Sequence, residues 1–98
     1  MIQSFRNQGT ADLYHGIDSA QARRTCPRKL WKVAYRKLDL LDAASSLEDL
    51  RAPPGNRLEA LVGNRRGQHS IRLNEQYRIC FVWTINGPKD VEIVDYHG

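Results

Sequence analysis

HSIRLNEQYRICFVW, residues 69–83, consists of two alternating runs joined by a short polar turn. In the first run Ile71 and Leu73 alternate with Ser70 and Arg72. In the second, Tyr77, Ile79, Phe81 and Trp83 alternate with Arg78 and Cys80. A period of two marks a strand with one buried face. Directly opposed residues of an antiparallel pair face the same side. A three-residue turn at Asn74-Glu75-Gln76 pairs Leu73 with Tyr77, Arg72 with Arg78 and Ile71 with Ile79, which keeps the faces separate. A two-residue turn would set Leu73 against Arg78 and mix them. The spacing therefore predicts a hairpin with an apolar core face and two opposed arginines on the other.

Downstream, Asn86-Gly87-Pro88 marks a turn and Val91 to Tyr96 a last strand. With Val91 and Ile93 on the core, a hairpin centred near Gly87 pairs Val82 with Glu92, Cys80 with Val94 and Arg78 with Tyr96. Arg72, Arg78 and Tyr96 would then form a row across three strands. Asp95 and His97 would point the other way or curl round the sheet end. Upstream, Leu58 to Val62 is a further strand, and Gly63 to Gly67 is its hairpin loop.

Before these strands lies the clearest helix, about Pro27 to Ala44, with Thr25 or Cys26 as its cap. Leu30, Val33, Ala34, Leu38 and Leu41 form its apolar stripe, widened by Trp31 and Tyr35. Lys37 falls inside that arc and is expected to snorkel. The intervening Ser45 to Asn56 reads as a loop, with Leu47 and Leu50 tucked in and a turn with positive φ at Gly55-Asn56. Met1 to Phe5 alternates like a short strand ended by Gly9. Short helices are expected at about Ala11 to His15 and from Ser19 to Arg24. The order of strand, helices and a four-strand antiparallel meander predicts one α+β domain over residues 1–98.

The chain has 98 residues, 41% of them apolar and 27% charged, which excludes a disordered tail. Two cysteines, Cys26 and Cys80, make no disulfide framework. MIQSFRNQGT lacks an apolar signal core, and no apolar run approaches the roughly 20 residues that span a bilayer. A cytoplasmic location without membrane attachment is expected. Three scattered histidines without a close Cys partner argue against zinc, so no metal or other cofactor is expected. His69 reads as a sheet-surface side chain.

The net charge is +4. Arg28, Lys29, Lys32 and Arg36 lie on the polar side of the long helix, and Arg57, Arg65 and Arg66 flank the strands. Such clustering suits a phosphate backbone, although a solvated basic surface would look the same. Opposed Arg72 and Arg78 repel one another. An anion held between them offsets that repulsion, and guanidinium is well shaped for phosphate. The alternative is two arginines splayed into water.

PPGNRLEALVGNRRGQHSIRLNEQYRICFVW, closing with VEIVDYH, resembles the HigB branch of the RelE/ParE toxin superfamily. MIQSF and LDLLDAASSLEDL extend the likeness to nearly the whole chain. The resemblance implies helices packed on one face of a small twisted antiparallel β-sheet, with RNA received on the other. It implies a ribosome-dependent mRNA endonuclease, the toxin of a type II toxin–antitoxin system. The partners implied are the ribosome, messenger RNA and a cognate helix-turn-helix antitoxin of the HigA kind. Catalytic roles fall on Arg72, Arg78, Asp95, Tyr96 and His97, with metal-independent attack by the RNA 2′-hydroxyl. The chain departs from the pattern at two places. Some HigB toxins carry a catalytic His where Glu59 stands, so that role is absent or carried elsewhere. Many have Lys-Gly-Asp where this chain has Val62-Gly63-Asn64. The alternatives are a gyrase poison of the ParE kind and a catalytically weak antitoxin- or RNA-binding relic.

Overall fold

The computed structural model describes residues 1–96. Three helices, α1 (Gln8–Tyr14), α2 (Ala20–Thr25) and α3 (Trp31–Ala43), precede four strands. These are β1 (Glu59–Ala60), β2 (His69–Arg72), β3 (Tyr77–Thr84) and β4 (Gly87–Asp95), in the antiparallel order β1-β2-β3-β4. The fold is α+β, as the alternation pattern predicts.

One side of the sheet supplies Ile71, Ile79, Phe81, Val91 and Ile93 to the core. The helical layer supplies Leu13, Ala22, Cys26, Ala34, Leu38 and Leu41. Leu50 closes the core from the α3–β1 connection and is fully buried. That connection is more ordered than the loop expected there. It holds two 3-10 turns, Leu47–Arg51 and Pro54–Asn56, and the first carries a Ser46/Asp49 capping box. Both cysteines are free and buried, and burial pushes the Cys26 thiol up to about 11. Among the described residues, no helix is long and apolar enough to cross a membrane.

Several local expectations need correction. Gly9 lies inside α1 and does not break the chain. A Cβ there would collide with the Thr25 side chain and the Gln21 carbonyl, so Gly9 lets α1 and α2 approach closely. The long helix opens with a 3-10 turn, Arg28–Leu30, and neither Thr25 nor Cys26 caps it by a side chain. Instead Trp31 Nε1 donates to the Cys26 carbonyl at 2.8 Å. Residues 1–6 run parallel to β4 through Gln3 N to Pro88 O, Val91 N to Ser4 O and Arg6 N to Val91 O. The positive φ after the prolines falls on Arg57, at 46°, and not on Gly55 or Asn56. Lys37 does not snorkel: it is 7% exposed and donates to Asn56 Oδ1. His69 is half-buried opposite Phe81 and stacks on that ring, with its Nδ1 buried and unbonded.

The β2–β3 ladder has the expected register, Ile71↔Ile79 and Arg72↔Arg78. The β3–β4 ladder does not. Its turn is the two residues Ile85-Asn86, with Thr84 paired to Gly87. A bulge between Cys80 and Val82 adds Asp90, at φ 52°. Arg78 therefore opposes Val94 and Cys80 opposes Glu92. The shift from the expected pairing is two residues, so each side chain keeps its face. Tyr96 lies just past the ladder, its N–H donating to Gln76 O at 2.7 Å.

Candidate nucleic-acid interface

The sheet face away from the core carries Ser70 and Arg72 from β2, Arg78 and Cys80 from β3, and Glu92 and Val94 from β4. Ser70 and Cys80 are opposed there and fully buried, yet neither belongs to the helix–sheet core. They form a floor. Burial raises the Cys80 thiol above its ordinary value, so it stays protonated at neutral pH.

Arg78 is fixed over this floor, its side chain only 11% exposed. Nε donates to Ser70 Oγ at 2.6 Å. Nη2 donates to the Arg57 carbonyl at 2.6 Å and reaches the Ser70 carbonyl at 3.4 Å. Glu59 Oε1 lies 3.9 Å from Nε, brought there because β1 pairs Glu59 with Ser70. The Tyr96 ring centroid is 5.7 Å from the guanidinium carbon, within cation–π range. Nη1 has no hydrogen-bond partner among the described residues. The guanidinium thus offers a free edge whose direction is set by the bonds on its other edge.

Arg72 stands directly opposite Arg78 and makes no hydrogen bond or ion pair among the described residues. Next to this pair, Arg65 Nη1 bonds Glu92 Oε1 at 2.8 Å and Gln68 Oε1 at 3.1 Å. Arg6 Nε lies 3.7 Å from the same Glu92 oxygen. The hydrogen bond that Arg65 donates to Glu92, more than any other influence, holds the Arg65 pKa above its ordinary value. Arg65 and Arg6 share the one Glu92 carboxylate, so the three together leave a single net positive charge beside the site. Arg66 is exposed on the neighbouring turn, as are Asn64 and Val62.

The remaining candidates divide. Tyr96 joins the arginines. Asp95 is paired with Tyr77 and accepts from Gln76 Nε2 at 2.9 Å, which places it on the other side of the strand. His97 lies outside the described residues. Arg28, Lys29, Lys32 and Arg36 are exposed on the outer side of the helical layer, so the fold does not bring them to the Arg72–Arg78 face. Arg28 is engaged with Asp18 and lies over the Trp31 ring at 5.5 Å.

Glu59, Ser70, Glu92 and the Arg57 carbonyl are parts that the sequence reading did not assign. Glu59 stands where the resemblance implies a His in some members, and its place beside Arg78 depends on the pairing of β1 with β2. Ser70 could have been found, since it stands two residues before Arg72 and shares its face. The Arg57 carbonyl had no sequence signal.

Two guanidinium edges without partners among the described residues, a carboxylate and an exposed phenol share one side of the sheet, a set of groups whose chemistry suits holding an anion and moving a proton. Among the described residues no group of three His, Cys, Asp or Glu could hold a metal.

Over residues 3–97 the chain matches the family model described as the RelE-like toxin of type II toxin–antitoxin system HigB. Toxin HigB-1 of Vibrio cholerae serotype O1 is 41% identical over 83 residues, 85% of this chain and 84% of that protein. An uncharacterized protein of Haemophilus influenzae is 38% identical over 74 residues, 76% of this chain and 73% of its own. The fold is similar to that in the YoeB–YefM complex from Staphylococcus aureus. There the TM-score is 0.59 over 96% of this chain and 95% of that one, at 16% identity, a likeness of fold alone.

Proposed function

This chain belongs to the HigB-like, RelE-like toxins of type II toxin–antitoxin systems, and on that footing we propose that it is a ribosome-dependent, metal-independent mRNA endonuclease. The observation that carries the reading is the opposed Arg72–Arg78 pair with Glu59 beside it. A scissile phosphate placed between the arginines has its developing charge stabilised without a cation.

The chemistry is a transesterification. The 2′-oxygen forms a bond to the adjacent phosphorus as the bond to the 5′-oxygen breaks. The 2′-hydroxyl proton passes to a base, and the departing 5′-oxygen takes one from an acid. The products are a 2′,3′-cyclic phosphate and a 5′-hydroxyl. Glu59 is the carboxylate that pairs with Arg78 among the described residues, and it suits the base role. Tyr96 and His97 are the groups from which the acid comes, since Asp95, also a sequence candidate, faces the other side of the strand. Each proton transfer contributes about 10²–10⁴-fold.

Dependence on the ribosome follows from the openness of the face. Glu59 and Tyr96 are exposed, so little in the chain itself would align an RNA strand for in-line attack. A ribosome that holds messenger RNA in place supplies that alignment. Arg57, Arg65 and Arg66 contact RNA or ribosome beside the site. Arg28, Lys29, Lys32 and Arg36 give a second basic surface for the ribosome. The partner that silences the toxin is a helix-turn-helix antitoxin, and the compartment is the cytoplasm.

Primer extension on messenger RNA after induction, with and without ribosomes, tests the reading. Cuts are expected only with ribosomes and are expected to survive chelation at magnesium levels that keep ribosomes intact. Broken DNA with intact messenger RNA would support a gyrase poison instead, and neither would support a relic.

A further inference from the structure

The Pro53-Pro54-Gly55-Asn56 motif and the buried Lys37 have no part in the reaction as described. Asn56 is fully exposed to neither solvent nor strand: its burial is complete. Its amide nitrogen donates to Leu50 O and Ala52 O, both at 3.1 Å, and its Oδ1 accepts from Lys37 Nζ. Every hydrogen of that amide is used. The 3-10 turn Pro54–Asn56 is thereby tied to the end of the preceding Leu47–Arg51 turn and, through Lys37, to the middle of α3.

Arg57 follows at once, in the left-handed region with φ 46° and ψ 54°. That conformation is unfavourable for a residue with a side chain. It is also what turns the Arg57 carbonyl toward Arg78 Nη2. A continuous line of bonds therefore joins α3 to the sheet arginine: Lys37, Asn56, the Arg57 carbonyl and Arg78.

Stability alone accounts poorly for Lys37. Its ammonium is buried against an amide oxygen, with no carboxylate partner among the described residues. An apolar side chain at this position of the helical stripe avoids that desolvation cost.

We propose that Lys37 and Asn56 are positioning residues for Arg78, holding the left-handed Arg57 carbonyl that aims the free Nη1 edge of the guanidinium at the RNA phosphate. The inference rests on the reading of Arg78 as the phosphate-binding residue, and its test separates the two.

The direct measurement is rotation of the Arg78 guanidinium, read by ¹⁵N NMR on the full chain without RNA. In the unaltered protein the Nη resonances are expected to be resolved, as for a group in slow rotation. In Lys37→Met, with folding checked by circular dichroism, rotation is expected to speed up by roughly tenfold or more, the effect of weakening one charge-assisted bond. A second pair of variants decides the matter even if Lys37→Met does not fold. Arg57→Gly and Arg57→Val both remove the guanidinium of residue 57, but only glycine is at ease at positive φ. Rotation is expected to remain slow in Arg57→Gly and to quicken in Arg57→Val. Equal rotation in these two variants overturns the proposal, as does unaltered rotation in a folded Lys37→Met.

The functional readout is single-turnover cleavage of ribosome-bound messenger RNA in a double-mutant cycle. Lys37→Met is expected to lower the rate about tenfold in the native background and to have no further effect beside Arg78→Ala. The same loss in both backgrounds would mean a merely structural role and overturns the proposal. If guanidinium rotation behaves as expected while no variant, and not the native chain, cuts RNA, the positioning stands and the nuclease reading falls.

Discussion

Arg72 lies directly opposite Arg78 across the β2–β3 ladder, and the two are bonded very differently. Arg78 is held by Ser70 and the Arg57 carbonyl, whereas Arg72 has no polar partner among the described residues. Like charges so placed cost about 0.2–1 kcal/mol. Arg72→Ala should therefore leave the melting temperature unchanged or slightly higher while cleavage falls. Arg78→Ala should lose both. It strips a donor from buried Ser70, a loss of about 1–3 kcal/mol, or roughly 4–8 °C per kcal/mol in a domain of this size. Thermal melts beside cleavage assays check the contrast. Full cleavage by Arg72→Ala would remove it from the anion site.

Glu59 gives a second contrast. It is half-exposed, and its ion pair with Arg78 is long at 3.9 Å. Such pairs contribute about 0–1 kcal/mol, so Glu59→Gln should fold as well as the native chain. If Glu59 accepts the 2′-hydroxyl proton, cleavage should drop by about 10²–10⁴-fold. Ribosome co-sedimentation should hold. An unchanged single-turnover rate would pass the base role to the C-terminal group.

These roles trace how much of the molecule was legible in the chain. The 69–83 hairpin was, because alternation on both sides of Asn74-Glu75-Gln76 admits one register that keeps the faces apart. The next register was not. A bulge at Asp90 needs one residue at positive φ, and aspartate tolerates that without announcing it. Lys37 was misjudged because its partner, Asn56, is 19 residues away and meets it only after the turn folds back. Gly9 looked like a break, since the sequence cannot distinguish a glycine that loosens a chain from one that admits a neighbouring helix. Arg72, Arg78 and Tyr96 were legible as one face because a two-residue shift conserves parity. Glu59 was not, because its role depends on its pairing with Ser70 and not on residue type alone.

Acid sensitivity should draw on Asp12, beside Asp49, whose carboxyl is likewise held low by the backbone N–H groups of Ser45 and Ser46. The Asp12 carboxylate accepts from Ser19 Oγ at 2.5 Å and Gln8 Nε2 at 2.7 Å, joining α1 to the cap of α2. The bond from Ser19, then that from Gln8, holds its pKa below 3.8. A carboxyl whose folded pKa is depressed stabilises the fold above its unfolded value, and that contribution is lost as pH falls through the folded one. Asp12→Asn should therefore melt at a lower temperature than the native chain at pH 7. The gap should narrow as pH falls below 3.8. A gap that is constant from pH 7 to strongly acid conditions would show that shape, and not charge, is what Asp12 contributes.

The last prediction separates binding from proton transfer at the end of the chain. The Tyr96 ring lies beside the Arg78 guanidinium, while its residue is 43% exposed. Tyr96→Phe keeps the ring for cation–π contact and for stacking on a base, and removes only the hydroxyl. Binding to the ribosome should therefore persist in Tyr96→Phe, and equally in His97→Ala, which leaves both arginines in place. Loss of the proton donor to the 5′-oxygen should then appear as a fall in single-turnover rate of about 10²–10⁴-fold in one variant and not in the other. A full rate in both variants would take both residues out of the chemistry, leaving the Tyr96 ring as a contact for Arg78 alone.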